Sequence, residues 1–161
     1  MYNIPVISFV AYSGTGKTTL IEQVVRKLKG LGVRVAVIKH DGHDFEVDHK
    51  GKDSWRMSQA GADISIVTSN NHTAIMENRP ISVDEIISRI QNVDIILIEG
   101  FKHGKWPKIL LHRKDVHKEL PIDPNQCLAV ITDEVIITST PCYPLGDVDS
   151  VIDVLLNYIQ L

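Results

Sequence analysis

Residues 11–18, Ala-Tyr-Ser-Gly-Thr-Gly-Lys-Thr, constrain the fold of this chain more than any other stretch. They follow Val6-Ile-Ser-Phe-Val10, a short apolar run that reads as a buried strand. They open a segment from Lys17 to Lys29 with helical periodicity. There Leu20, Ile21, Val24, Val25 and Leu28 share one face, and Glu22, Gln23, Arg26 and Lys27 face outward. Gly30 and Gly32 close that helix. A glycine-rich turn between a buried strand and a helix that begins Lys-Thr-Thr has one familiar use. It curls successive backbone N–H groups around phosphate oxygens. The stretch matches G-x-x-x-x-G-K-[ST] except that Ala11 stands at the first glycine, a small residue that fits wherever φ is negative. Ser13, Gly14, Thr15, Gly16, Lys17, Thr18 and Thr19 are thus candidate phosphate-binding residues. Gly14 and Gly16 supply the curvature, and the helix start adds its partial positive charge. Lys17 would reach the β- and γ-phosphates, and the Thr18 hydroxyl would sit on Mg²⁺. A ligand-free turn leaves the lysine and two threonines behind the glycines unexplained.

The remaining pattern alternates strands and helices. Val33–Ile38 is rich in β-branched residues and makes a βαβ unit with what precedes it. Asp53 is a candidate cap for a short helix closed by Gly61. Ile64–Val67 and His72–Met76 flank Asn70-Asn71, which predicts a hairpin with a type I′ turn. Ser82-Val-Asp-Glu85 is a capping box ahead of Ile86, Ile87 and Ile90. Val93–Ile98, Ile109–Leu111 and Cys127–Ile131 read as further strands, and Asp147 caps a last amphipathic helix. The expected architecture is α/β: a three-layer α/β/α P-loop NTPase with a mostly parallel sheet and an added β-hairpin, built as one domain over residues 1–161.

A phosphate loop needs a carboxylate from a second strand near the metal. Glu99 emerges from Ile95-Ile-Leu-Ile98 at the strand edge where ligands bind in open α/β sheets, and Gly100 beside it offers a backbone N–H for a γ-phosphate. Asp41, after the second strand, is the other candidate near the metal. Lys17, Asp41 and Glu99 are thus the candidate catalytic groups, and Thr18, Asp41 and Glu99 the candidate Mg²⁺ ligands. His40, His43 and His49, with Asp41, Asp44 and Asp48, admit a second reading as a transition-metal site, although nothing fixes them on one face.

Together these residues resemble the molybdopterin-guanine dinucleotide biosynthesis adapter protein B family. The resemblance rests on residues 11–20, Ile38-Lys-His40 with His43 and Asp48, Gly51-Lys-Asp-Ser54, Ala60-Gly-Ala62 and Ile98-Glu-Gly-Phe-Lys102. It runs from the first strand to about residue 113. It implies a cytoplasmic, homodimeric, GTP-binding protein with weak Mg²⁺-dependent GTPase activity. Such a protein assists the guanylyltransferase that converts the molybdenum cofactor to its guanine dinucleotide form. By the same resemblance residues 13–19 hold the phosphates, Asp41 and Glu99 lie near the metal, and the hairpin around Asn70 contributes subunit contacts. The preference for GTP over ATP rests on the resemblance. Asn-Lys-x-Asp is absent, and Asp133 reads equally as a guanine-binding carboxylate or as an ordinary strand-to-turn residue.

Composition narrows the classes. Seventeen Lys and Arg against 20 Asp and Glu leave a net charge of −3, which argues against a general nucleic-acid or membrane-surface binder. No apolar run approaches the roughly 18 residues of a membrane span. Met1–Pro5 lacks a secretory leader, and two cysteines, Cys127 and Cys142, make no disulfide framework, so a reducing cytoplasm is the expected setting. Residues 102–118 are locally basic, with six Lys and Arg against Asp115. That suits either a solvated edge or a patch for a phosphorylated pterin or acidic partner, with Trp106 as an exposed contact. Two other functional readings stand beside the adapter: an ATP-dependent small-molecule or nucleoside kinase, and a metallochaperone using the His-rich loop. A kinase of this size usually carries an arginine-bearing lid, and no arginine finger is evident here.

Overall fold

Five fully buried residues, Val6–Val10, form β1, and the sheet is built outward from it. In a computed structural model, which describes residues 4–40 and 47–160, six strands pair in the order β2-β5-β1-β6-β7-β8, every neighbour parallel. They are β2 (Val35–Lys39), β5 (Ile95–Glu99), β6 (Lys108–His112), β7 (Ala129–Thr132) and β8 (Cys142–Pro144). A parallel sheet buried on both faces needs near-continuous apolar strands. Ile95-Ile-Leu-Ile98 and Ile109-Leu-Leu111 supply them.

The chain divides into two compact units. The larger, residues 1–40 and 87–161, holds the six-stranded sheet with α1 (Lys17–Gly30) and α4 (Val148–Ile159). Leu20, Ile21, Val24 and Leu28 of α1 and Val151, Ile152 and Leu155 of α4 join Ile7, Phe9, Leu97, Ile109 and Ile131 in one core. Asp147 caps α4, accepting from the backbone N–H of Ser150 at 3.1 Å. The smaller unit, residues 41–86, holds α2 (Asp53–Gln59), the antiparallel pair β3 (Ile64–Thr68) and β4 (Thr73–Glu77), and most of α3 (Val83–Arg89). The Ser82 hydroxyl accepts from the Glu85 N–H at 3.1 Å, as a capping box requires.

Several boundaries differ from expectation, each for a local reason. β2 begins at Val35 because Val33 is taken into the end of α1, its N–H bonded to the Leu28 carbonyl. Asp53 is the first helical residue of α2 and Lys52 its cap. The hairpin forms, with Ile66 opposite Ile75, but neither Asn70 nor Asn71 takes the positive φ that a type I′ turn demands. β8 escapes the sequence pattern because it is a three-residue edge strand ending on Pro144. Trp106 is buried at 8% exposure, which corrects its reading as an exposed contact. Its indole edge stands against Phe101, itself stacked on His40, with ring centroids 5.6 and 4.0 Å apart.

The entry of β2 beside β5 is pinned electrostatically. Asp94 Oδ2 accepts from the Arg34 backbone N–H at 2.7 Å, and Oδ1 accepts from the guanidinium at 2.7 Å. The Arg34 bonds hold the Asp94 carboxyl at about 2, against an ordinary 3.8. A depressed folded-state value makes a contribution that is full above the unfolded value and lost as pH falls through the folded one. Asp94→Ala therefore lowers Tm at pH 7, and the gap to wild type closes as pH falls from about 4 toward 2, as thermal melts across that range will show.

Candidate phosphate and metal site

Parallel pairing puts the ends of β1, β5 and β2 side by side, with Phe9 opposite Glu99 and Glu99 opposite Lys39. The loop leaving β1 curls through two left-handed glycines, Gly14 at φ 78° and Gly16 at φ 95°. The buried Thr15 hydroxyl donates to the Tyr12 carbonyl at 2.9 Å and ties the curl shut. Gly16 caps α1 with no side-chain bond, which leaves the first-turn N–H groups aimed at the loop's concave side. A cavity of about 460 Å³ lies there, lined by the loop together with Lys17, Thr18, Lys39 and Glu99.

Within it the Thr18 hydroxyl donates to Glu99 Oε1 at 2.8 Å. A hydroxyl and a carboxylate in direct contact, at a helix start and beside a phosphate loop, are the hard oxygen donors Mg²⁺ prefers. Residues 81 positions apart in sequence thus meet as expected. Lys39 was not among the expected site residues. Its position one register step from Glu99 was the available signal, since parallel neighbours of a strand-end carboxylate reach the same edge.

Gly100 departs from its expected role. Its N–H donates to the Phe9 carbonyl at 2.9 Å, so the β1–β5 ladder consumes the group expected to face a phosphate. Its carbonyl in turn accepts from the buried Ser8 hydroxyl at 2.5 Å. What the position requires is φ 104°, with the His40 carbonyl oxygen 3.6 Å from where a Cβ would stand. Asp133 does not line this cavity. Its Oδ1 accepts from the Lys114 N–H at 2.9 Å and anchors the chain leaving β6. Asp41, His43 and Asp44 lie outside the described residues.

The basic stretch 102–118 is not one continuous patch. Lys108 Nζ donates to the carbonyls of Gly104 and Trp106 at 2.6 and 2.9 Å, serving the loop rather than a partner. Cys127 is half-buried, and burial pushes its thiol up to about 11, which keeps it protonated and unsuited to nucleophilic attack. Among the described residues no three His, Cys, Asp or Glu side chains converge as a metal-ion cluster. A β-carbon at Gly100 would force a strained left-handed alanine. Gly100→Ala is accordingly expected to cost about 1–2 kcal/mol in denaturant unfolding, the strain coming from the left-handed φ rather than from a clash, since the His40 contacts of 3.6 and 3.7 Å are ordinary.

The chain is similar to known proteins in both sequence and fold. A family model described as molybdopterin guanine dinucleotide synthesis protein B matches residues 6–133. The chain is 37% identical over 161 residues to a molybdopterin-guanine dinucleotide biosynthesis adapter protein of Haemophilus influenzae, covering 98% of this chain and 90% of the relative. It is also 37% identical to the protein of the same description in Escherichia coli, covering 98% and 94%. The crystal structure of Bacillus subtilis MobB superposes with a TM-score of 0.80 at 27% identity over 96% of this chain and 98% of that one. With the motif, the fold and the relatives in agreement, the chain belongs to the molybdopterin guanine dinucleotide synthesis protein B family.

Proposed function

We propose that this chain is a GTP-binding adapter with slow Mg²⁺-dependent GTPase activity, acting in the conversion of the molybdenum cofactor to its guanine dinucleotide form. The observation that carries the nucleotide part is the contact of Thr18 with Glu99 at the mouth of a loop whose helix N–H groups are uncapped. The adapter part is supported by family membership and by the description of the Haemophilus and Escherichia relatives as adapter proteins; GTP rather than ATP rests on the sequence resemblance alone. The partner this reading implies is the guanylyltransferase of cofactor maturation, and its setting the cytoplasm. Among the described residues no helix is long and apolar enough to cross a membrane.

In this reading the backbone N–H groups from Gly14 to Thr19, with Lys17 and Lys39, hold the triphosphate. Thr18 and Glu99, with Asp41, hold the metal, which when bound neutralises charge on the phosphates. Glu99 or Asp41 orients the attacking water. Among the described residues no arginine lines the metal-side cavity, so turnover should stay on the order of 10⁻⁴ to 10⁻³ s⁻¹. Calorimetric titration with GTP and ATP in Mg²⁺ is the test. The expected result is GTP binding in wild type and at least about tenfold weaker binding in Lys17→Ala, the equivalent of about 1.4 kcal/mol. A preference for ATP, with phosphate passed to an acceptor, would instead establish the kinase.

Residues 1–161 act, in this proposal, as one nucleotide-binding domain whose hairpin unit serves assembly. One face of the hairpin carries Ile64, Ile66 and Ile75, which are 53%, 60% and 62% exposed. Ser65, on the opposite face, is buried and bonded to Ser58 of α2. An apolar sheet face of this kind suits a second copy of the chain. Ile66→Asp should convert a homodimer to monomer in analytical ultracentrifugation while leaving Tm nearly unchanged; a monomeric wild type would refute the dimer.

A further inference from the structure

The segment that leaves β6 runs back along the phosphate loop. Its residues meet the loop in reverse order. The Arg113 Nη2 lies 3.9 Å from where a Cβ on Gly16 would stand, Val116 Cγ1 3.9 Å from the same position on Gly14, and the His117 ring stacks on Tyr12 at 4.0 Å. The strap is held at its root by Asp133, which binds the Lys114 N–H, and by a turn in which the N–H groups of Val116 and His117 both donate to the Arg113 carbonyl. Arg113 is therefore placed by structure on both sides of it.

That placement sets a cation beside a helix N-terminus. Among the described residues the Arg113 guanidinium has no carboxylate partner and no hydrogen bond. It faces Gly16, the N-cap of α1, where the helix presents positive partial charge, next to Lys17. Arg113 is exposed, so water solvates its charge in the ligand-free fold, and its position over the start of α1 leaves the guanidinium free to meet an anionic ligand there. Five N–H donors in a planar fork suit phosphate oxygens particularly well.

The cavities locate it along the ligand. Arg113 lines a second cavity, of about 210 Å³, with Thr15, Gly16, Thr19, Gln23 and Gly146. Gly16 and Thr19 border both cavities, whereas Glu99, Thr18 and Lys39 border only the metal side. The guanidinium thus stands at the end of the loop away from the Mg²⁺ donors, the end that carries the phosphates nearest the nucleoside.

We propose that Arg113 is a nucleotide-binding residue that grips the α- and β-phosphates from the strap, retaining nucleoside di- and triphosphates alike, rather than a finger acting on the γ-phosphate. This rests on the phosphate-loop reading above. The test is titration of wild type, Arg113→Ala, Arg113→Lys and Lys17→Ala with GDP and with a non-hydrolysable GTP analogue at two salt concentrations, alongside single-turnover hydrolysis of GTP. Arg113→Ala should weaken both nucleotides by a similar factor of about tenfold or more and flatten the salt dependence. Arg113→Lys should recover part of the loss, and the hydrolysis rate at saturating GTP should change less than about threefold. A structural role alone would move Tm without that rescue. Unchanged affinity in Arg113→Ala overturns the proposal, and so does a loss confined to the triphosphate or to the hydrolysis rate. Wild type that binds neither nucleotide overturns the phosphate-loop reading with it, so the two failures are distinguishable.

Discussion

Parallel pairing on both sides of β1 is the constraint on which the rest depends. Parallel strands deliver all their C-terminal ends to one edge, and every crossover must leave from there. β1 lies between β5 and β6, with Phe9 opposite both Glu99 and Ile109. The phosphate loop, the carboxylate and the strap therefore emerge as immediate neighbours, although Gly14, Glu99 and Arg113 are scattered over a hundred positions of sequence. No loop has to reach far, and the chemistry is placed by backbone ladders buried on both faces.

The edge so formed is locally cationic in a chain that is acidic overall. Lys17, Lys39 and Arg113 surround the loop, and Glu99 is engaged by Thr18. In the ligand-free fold water solvates these side chains, since Lys39 and Arg113 are exposed and Lys17 is only partly buried. The arrangement suits a polyphosphate, which brings several negative charges and leaves the charge balanced. The net charge of the chain carries no information about this, since field at a site depends on the few groups within about a Debye length.

What was legible in the sequence was local. The phosphate loop, the Asp147 cap and the Ser82 capping box each depend on residues within a few positions of one another, and each stands where the pattern placed it. Glu99 was legible because a buried strand ending in a carboxylate has few other uses. The misses at the site come from pairing and packing that no motif encodes, whereas the Asp53 cap and the Asn70-Asn71 turn failed locally, through backbone conformations that those residue types only favour. Gly100 lost its N–H to Phe9 through the ladder, and Trp106 was covered by Phe101. Arg113, six residues beyond Pro107, has no motif around it. Only the parallel register of β6 with β1 carries it to Gly16. The short edge strand β8 has too few residues for any periodicity.

The loop after Glu99 shows how such a site is held in place. Two successive left-handed residues, Gly100 at φ 104° and Phe101 at φ 55°, turn the chain sharply away from the carboxylate. Glycine adopts that conformation readily, but phenylalanine does so at a cost of about 1–2 kcal/mol. The conformation persists because the surroundings over-determine it. His40 stacks on one side of the Phe101 ring, the Trp106 indole meets it edge-on, and Gly104 leaves no room for a side chain against that indole, where a Cβ would come within 2.6 Å. Aromatic contacts of this kind contribute about 0.5–1.5 kcal/mol each beyond their buried area, enough to offset the backbone strain. The stack is formed from the ends of β2 and β5 and from the approach to β6, so three strands fix one turn. Glu99, immediately before that turn, is consequently held by the sheet on one side and by a ring cluster on the other. A carboxylate that must meet Thr18 within hydrogen-bond distance needs that degree of restraint.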